Sequence, residues 1–269
     1  WFYMLTSQSG RPKLENKTYR TRDWKTWEET FIPNLISGSP DLVYAQGLCH
    51  LVFQMRVSPD PKRLFISSSS NFFDWTQYKP AMPDVQAGMR HIDGALGYEK
   101  GHYYLGYKGQ QTFYMVRSVG STIDGRWEGP LVCESGGWCE NYQFIKIDGR
   151  WRMIATARAP EGSIYELDDS GYTGDHEPYI YTMAGDGDSL EDWAQWRGRT
   201  HLVLPFEDWN QAMHANTGYL CDWRDYDGYF YLFYAGSNDS ITFKKRGHGK
   251  IGVARSRDLK HWVTPPESD

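Results

Sequence analysis

The 269-residue sequence predicts an all-β fold, a five-bladed β-propeller, on three observations. A phrase ending in Asp and Trp recurs five times along the chain. Between successive copies lies an apolar strand, a Gly turn and an aromatic-rich strand. Helical periodicity sustained over ten or more residues is nearly absent. Repeats of about 50 residues built from short strands are what propeller blades produce.

The recurring phrase reads YRTRDWKTWEE, LFISSSSNFFDWTQY, VRSVGSTIDGRWEGP, MAGDGDSLEDWAQW and GVARSRDLKHWVTPP. Its anchoring tryptophans are Trp27, Trp75, Trp127, Trp196 and Trp262, which lie 48, 52, 69 and 66 residues apart. The intervening hairpins are DLVYAQGLCHLVFQM, ALGYEKGHYYLGYKG, YQFIKIDGRWRMIATA and GYLCDWRDYDGYFYLFYAG. Gly47, Gly101, Gly149 and Gly228 supply the positive φ that a tight hairpin requires. Each unit therefore reads as an inner strand, a second and a third strand, and an outer strand closing at Asp and Trp. Five endings accompany only four inner hairpins. The first blade is thus expected to lack its inner strand, the chain to be truncated at its N-terminus, and residues 1–269 to form a single propeller domain. A two-sheet sandwich would explain the strands but not the repeated ending.

Composition narrows the partners. Aromatics make up 16% of the chain, with 12 Trp and 19 Tyr, which excludes a disordered segment. Lys and Arg number 29 against 34 Asp and Glu, for a net charge of −5 with no basic block. Nucleic acid and membrane surfaces are therefore not expected partners, whereas neutral ligands that stack on aromatic faces are. No apolar stretch reaches membrane-spanning length. The compartment is unassigned, with a secreted or periplasmic one favoured. Cys49, Cys133, Cys139 and Cys221 match no zinc spacing. Cys133 and Cys139 flank ESGGW, and both a small loop disulfide and two reduced thiols stand open there.

Inner strands of a propeller converge on its axis, so polar residues at their starts can build a site. Those starts read SPDLVY, HIDGALGY, WCENYQF and MHANTGYL, placing Asp41, Asp93, Glu140 and His214 at nearly corresponding positions. Acids at strand starts also satisfy loop amides, and for any one of them alone that structural role is the simpler account. Four together favour a site.

With these residues the chain resembles the five-bladed glycoside hydrolases of family 43 and the related families 32, 62, 68 and 117. SPDLVYAQGLCHLVF resembles the family's second-blade phrase, HIDGALGYEKGHYYLGY the third-blade phrase carrying an Asp that tunes the acid, and ENYQFIKIDGRWRMI the fourth-blade phrase opening on the general-acid Glu. MHANTG resembles the fifth-blade site, where a His orients groups or holds a metal with water. The departures are specific. Glu140 is followed by Asn141 and Tyr142 where the family has Gly-Pro, and the Cys-Glu order inverts the Glu-Cys of family 32, whose Asn-Asp-Pro is absent. The resemblance places the general base on the first blade's inner strand, which is expected to lie upstream of Trp1.

The implied chemistry is cleavage of a plant, algal or microbial oligosaccharide or polysaccharide, with Glu140 as proton donor in an inverting reaction. Apolar neighbours (Trp138, Tyr142, Phe144) are expected to raise the Glu140 pKa, and Asp93 to modulate it. Asp41 is the weaker candidate for the base. Trp138, His214 and Asn216 are expected to bind substrate, and Trp209 and Trp223 either stack on sugar or pack within blades. No cofactor is required, although a structural calcium held through His214 at the axis fits the resemblance. Two alternatives stand: a catalytically inactive, lectin-like sugar binder, and a phosphorylase, for which Arg90, His91 and Arg158 are too scattered.

Overall fold

The computed structural model describes residues 1–5, 18–23, 26–30, 38–54, 63–82, 90–109, 112–135, 139–158, 176–210, 213–237 and 250–265. They form five antiparallel sheets, the blades of an all-β, five-bladed β-propeller. Two compact units divide them, Trp1–Val132 and Cys133–Asp269.

The first unit holds three blades. β1 (Phe2–Leu5), β2 (Thr18–Thr21) and β3 (Glu28–Thr30) form a three-stranded sheet. β4 (Gly38–Ala45), β5 (Leu48–Gln54), β6 (Leu64–Ser69) and β7 (Lys79–Pro80) form the second blade. β8 (Ile92–Glu99), β9 (His102–Gly109), β10 (Thr112–Ser118) and β11 (Trp127–Val132) form the third. An apolar core including Val52, Leu64, Leu96 and Leu105 fills the space between the second and third blades. Each such buried side chain contributes about 1.5–3 kcal/mol.

The second unit holds two. β12 (Cys139–Ile147), β13 (Arg150–Arg158) and β14 (His176–Met183) continue through the short helix α1 (Leu190–Trp193) into β15 (Trp196–His201). β16 (Met213–Trp223), the helical turn α2 (Arg224–Asp227), β17 (Tyr229–Ser237) and β18 (Lys250–Ser256) make the last sheet. Ile154, Ile180, Leu220 and Leu232 share its core. The fourth strand of that blade is reduced to one bridging residue, Val263, which exchanges two backbone hydrogen bonds with Arg255.

Three hairpins turn on a residue pair with positive φ at both positions: Gln46-Gly47, Lys100-Gly101 and Asp148-Gly149. That is the turn whose twist matches the flanking strands. The fourth glycine behaves differently. Gly228, at φ 83°, caps the C-terminus of α2, so this hairpin carries a helical turn rather than a two-residue loop.

The recurring Trp opens the fourth strand instead of closing it. At Trp27, Trp75 and Trp262 the physical unit is a Ser/Thr-x-Asx turn with Trp four residues beyond the Asx. Ser69 Oγ accepts the Asn71 N–H (3.2 Å), and Asn71 Oδ1 accepts those of Phe73 and Asp74 (2.9 and 2.8 Å). Ser256 and Asp258 repeat this with the amides of Lys260 and His261, and Thr21 and Asp23 with that of Thr26. The indole N–H groups of Trp75 and Trp262 then reach the carbonyls of Phe72 and Leu259, both left-handed at φ 69° and 63°. Asp and Asn are favoured there because their side chains hydrogen-bond the backbone just ahead.

Trp209 lies across the last sheet, its ring stacked on Tyr234 at 5.8 Å and closed over Gly236 and Gly252. Asn210 anchors it by donating to the Tyr234 hydroxyl (2.9 Å) and the Pro205 carbonyl (3.2 Å). A Cβ at Gly252 would overlap the Trp209 ring. Gly252→Ala is therefore expected to destabilise the protein by about 1–3 kcal/mol, the usual cost of overpacking, readable as a lower midpoint in urea. An unchanged midpoint would mean that Trp209 does not rest on this sheet.

Candidate functional site: carboxylates at the inner-strand starts

Every inner strand described here is irregular at its start. The β4–β5 ladder breaks between Gly38 and Asp41, the β8–β9 ladder between Ile92 and Ala95, and the β12–β13 ladder between Glu140 and Gln143. In each break two residues oppose one, a β-bulge. The first of the two is left-handed and not glycine: Ser39 at φ 45°, Asp93 at 52° and Asn141 at 54°. Such residues cost about 1–3 kcal/mol each and concentrate at functional sites. β16 breaks twice, between Ala215 and Thr217 and between Thr217 and Tyr219.

Aligned on the bulge, the carboxylates do not correspond. Glu140 is the last residue before it, Asp93 is its left-handed residue, and Asp41 is where the ladder resumes. The near correspondence expected along the strands is therefore offset by up to three residues: the bulges lie ahead of the alternating apolar runs, which alone carry register in the sequence.

In the first unit Asp41 is 6% exposed. Its Oδ2 accepts the Leu96 N–H at 2.7 Å, and it also accepts from Leu42. Burial pushes the carboxyl up to about 7, against the lowering effect of those two hydrogen bonds. Asp93 is buried, as are His91 and Lys108 nearby, with the His91 ring edge-on to Tyr107 at 4.6 Å. Arg90, by contrast, is exposed.

In the second unit Glu140 is half-buried at the head of β12. The Tyr142 hydroxyl donates to the Cys139 carbonyl at 2.6 Å, fixing the chain on both sides of it. Gln143 is buried and holds Leu220 twice: Oε1 accepts its N–H (2.6 Å) and Nε2 donates to its carbonyl (2.9 Å). A further acid lies at the same end of this blade. Glu177 is 2% exposed, is in register with Ala157 opposite Cys139, and has Oε2 3.3 Å from His201 Nε2. His201 stacks on Tyr179, which Arg199 covers from 4.2 Å. Sequence reasoning passed over Glu177 because it heads a third strand; its only signal is an acid directly before the Pro-Tyr-Ile-Tyr run.

The remaining expectations divide. Trp138 and the side chains of His214, Asn216 and Arg158 lie outside the described residues; by backbone register His214 pairs with Gly236, just ahead of the first break in β16. Trp209 packs on its own blade. Trp223 ends β16 beside Tyr226, roughly 30 Å along the strand from His214 at 3.3 Å per residue. All four cysteines are free thiols. Among the described residues no three His, Cys, Asp or Glu side chains are grouped to hold a metal, and no helix is long and apolar enough to cross a membrane.

The sequence matches no family model and no curated protein at a significant level. Solved structures are similar in fold. A thermostable family-43 glycoside hydrolase superposes with a TM-score of 0.60 at 14% identity, over 85% of this chain and 72% of that one. An exo-1,5-α-L-arabinanase from a bovine ruminal metagenomic library gives 0.60 at 10% identity, over 98% and 92%. A xylan β-1,4-xylosidase from Bacillus halodurans gives 0.57 at 16% identity, over 88% of this chain but 44% of its own length. At such identities the likeness establishes the shared propeller fold.

Proposed function

We propose that this protein hydrolyses glycosidic bonds, with Glu140 as the proton donor and Asp93 as a supporting carboxylate. One observation carries the reading. Three inner strands each bear a carboxylate within two residues of a left-handed, non-glycine bulge. Strain repeated at the start of three inner strands is costly, and holding carboxylates in fixed positions is a purpose that justifies it. The fold shared with glycoside hydrolases supports the same assignment.

In this reaction Glu140 protonates the leaving oxygen while a second carboxylate activates water on the opposite face of the sugar; inversion requires about 6.5–9.5 Å between the two. Half-burial suits Glu140, since a donor needs access to substrate as well as limited hydration. Because the structural neighbours include an arabinanase and a xylosidase, pentosides of plant polysaccharides are the first substrates to try. The test is incubation with 4-nitrophenyl α-L-arabinofuranoside, 4-nitrophenyl β-D-xylopyranoside and linear arabino- and xylo-oligosaccharides, following the first-formed anomer by NMR. Release of an inverted sugar is expected. Saturable binding of oligosaccharide without release of reducing ends would establish the lectin-like alternative instead.

A further inference from the structure

Asp41 and Gln143 differ in charge, length and blade, yet the register makes them equivalents. Each is the first paired residue after its bulge, Asp41 opposite Val52 and Gln143 opposite Ile154. Each side chain is buried, and each crosses to the inner strand of the following blade within its own unit: Asp41 to Leu96 on β8, Gln143 to Leu220 on β16. The targets are equivalent as well. Leu96 is one residue beyond Ala95, where the β8 ladder resumes, and Leu220 is one beyond Tyr219, where the β16 ladder resumes.

The physical need is the same in both places. β8 and β16 are edge strands of their sheets, and an edge amide buried against a neighbouring blade needs a partner. A side chain from the preceding blade supplies it. Gln143 satisfies both the N–H and the carbonyl of Leu220, whereas Asp41 takes the Leu96 N–H alone. Leu96 sits three residues past Asp93, so whatever fixes Leu96 also fixes the strained bulge on which Asp93 is mounted.

We propose that Asp41 is a positioning residue, the second-blade counterpart of Gln143, which holds the strand carrying Asp93 and exchanges no proton with substrate. With its side chain 6% exposed and Oδ2 taken by the Leu96 amide at 2.7 Å, Asp41 has little access to a water bound beside substrate. The kinetic consequence rests on the glycosidase reading; the clamp itself does not.

The two are tested separately. Amide hydrogen exchange is measured at Leu96 and Leu220 in the wild type, Asp41→Ala, Asp41→Asn and Gln143→Ala, together with hydrolysis of 4-nitrophenyl α-L-arabinofuranoside and 4-nitrophenyl β-D-xylopyranoside. Asp41→Ala is expected to speed exchange at Leu96 at least tenfold and leave Leu220 alone, with Gln143→Ala doing the reverse. Asp41→Asn keeps an acceptor in the same place and is expected to restore both Leu96 protection and kcat to within threefold of wild type. Should Asp41→Ala not fold, Asp41→Ser removes the reach to Leu96 with a smaller cavity. Unchanged Leu96 exchange in the Ala or Ser variant would overturn the clamp. A loss of 100-fold or more in kcat for Asp41→Asn with Leu96 still protected would make Asp41 the general base and overturn its positioning role. If the wild type hydrolyses neither substrate, the exchange data still decide the clamp, and the glycosidase reading alone loses support.

Discussion

Glu140→Gln is expected to lower kcat on an unactivated arabinoside or xyloside by about 10²–10⁴-fold, the usual contribution of a positioned general acid. The amide keeps the shape of the carboxyl but has no proton to give. Because Glu140 is half-buried and its neighbours are fixed by the Tyr142–Cys139 hydrogen bond, the variant should fold as the wild type does. A substrate whose leaving group is a strong acid, such as a 2,4-dinitrophenyl glycoside, needs little protonation and should be partly spared. That contrast separates a lost proton donor from a damaged site, which would slow both substrates alike. Undiminished turnover of the unactivated glycoside would remove Glu140 from the mechanism.

Global stability is expected to fall as pH rises from about 4 to 7, with Asp41 as a principal cause. The unfolded chain releases this proton near 3.8, whereas the folded protein retains it to about 7. Between those values the folded state binds more protons, so raising the pH favours unfolding; below 3.8 and above 7 the effect is level. A separation of about three units corresponds to roughly 4 kcal/mol at full extent. His50, buried against Ser68 and Tyr103 and lowered by desolvation, acts in the opposite sense: its contribution is present above 6.5 and fades as pH falls. The difference between wild type and Asp41→Asn cancels that contribution. In urea titrations from pH 4 to 8 the variant should match the wild type at pH 4 and exceed it by several kcal/mol at pH 8. Parallel profiles would show that Asp41 titrates near its unfolded value.

The blades were legible because their signals are local. Apolar alternation and the glycines of Gln46-Gly47, Lys100-Gly101 and Asp148-Gly149 mark strands and hairpins directly. The Asp–Trp phrase is visible in the sequence, but the end of the strand it occupies is not, since the atoms that give it meaning are backbone amides and the Ser or Thr two residues ahead of the Asx. The carboxylates at the inner-strand starts are visible too, but their order across the bulges is not, because the bulges precede the alternating runs that carry register. Gln143 and Glu177 escaped for a related reason. An uncharged amide in an apolar run and an acid heading a third strand declare themselves only through partners 77 and 24 residues away. Trp209 shows the converse: an aromatic in a polar stretch suggests a ligand platform until Gly236 and Gly252 are seen beneath it.

Every strand pairing in the five sheets joins segments that are consecutive along the chain. Loop closure within a blade therefore spans few residues and costs little entropy, so a meander can form on its own timescale before its neighbours exist. Asp41 and Gln143 act at the next stage, joining positions 55 and 77 residues apart. The seams they hold are where ordering a strand in one blade begins to depend on another.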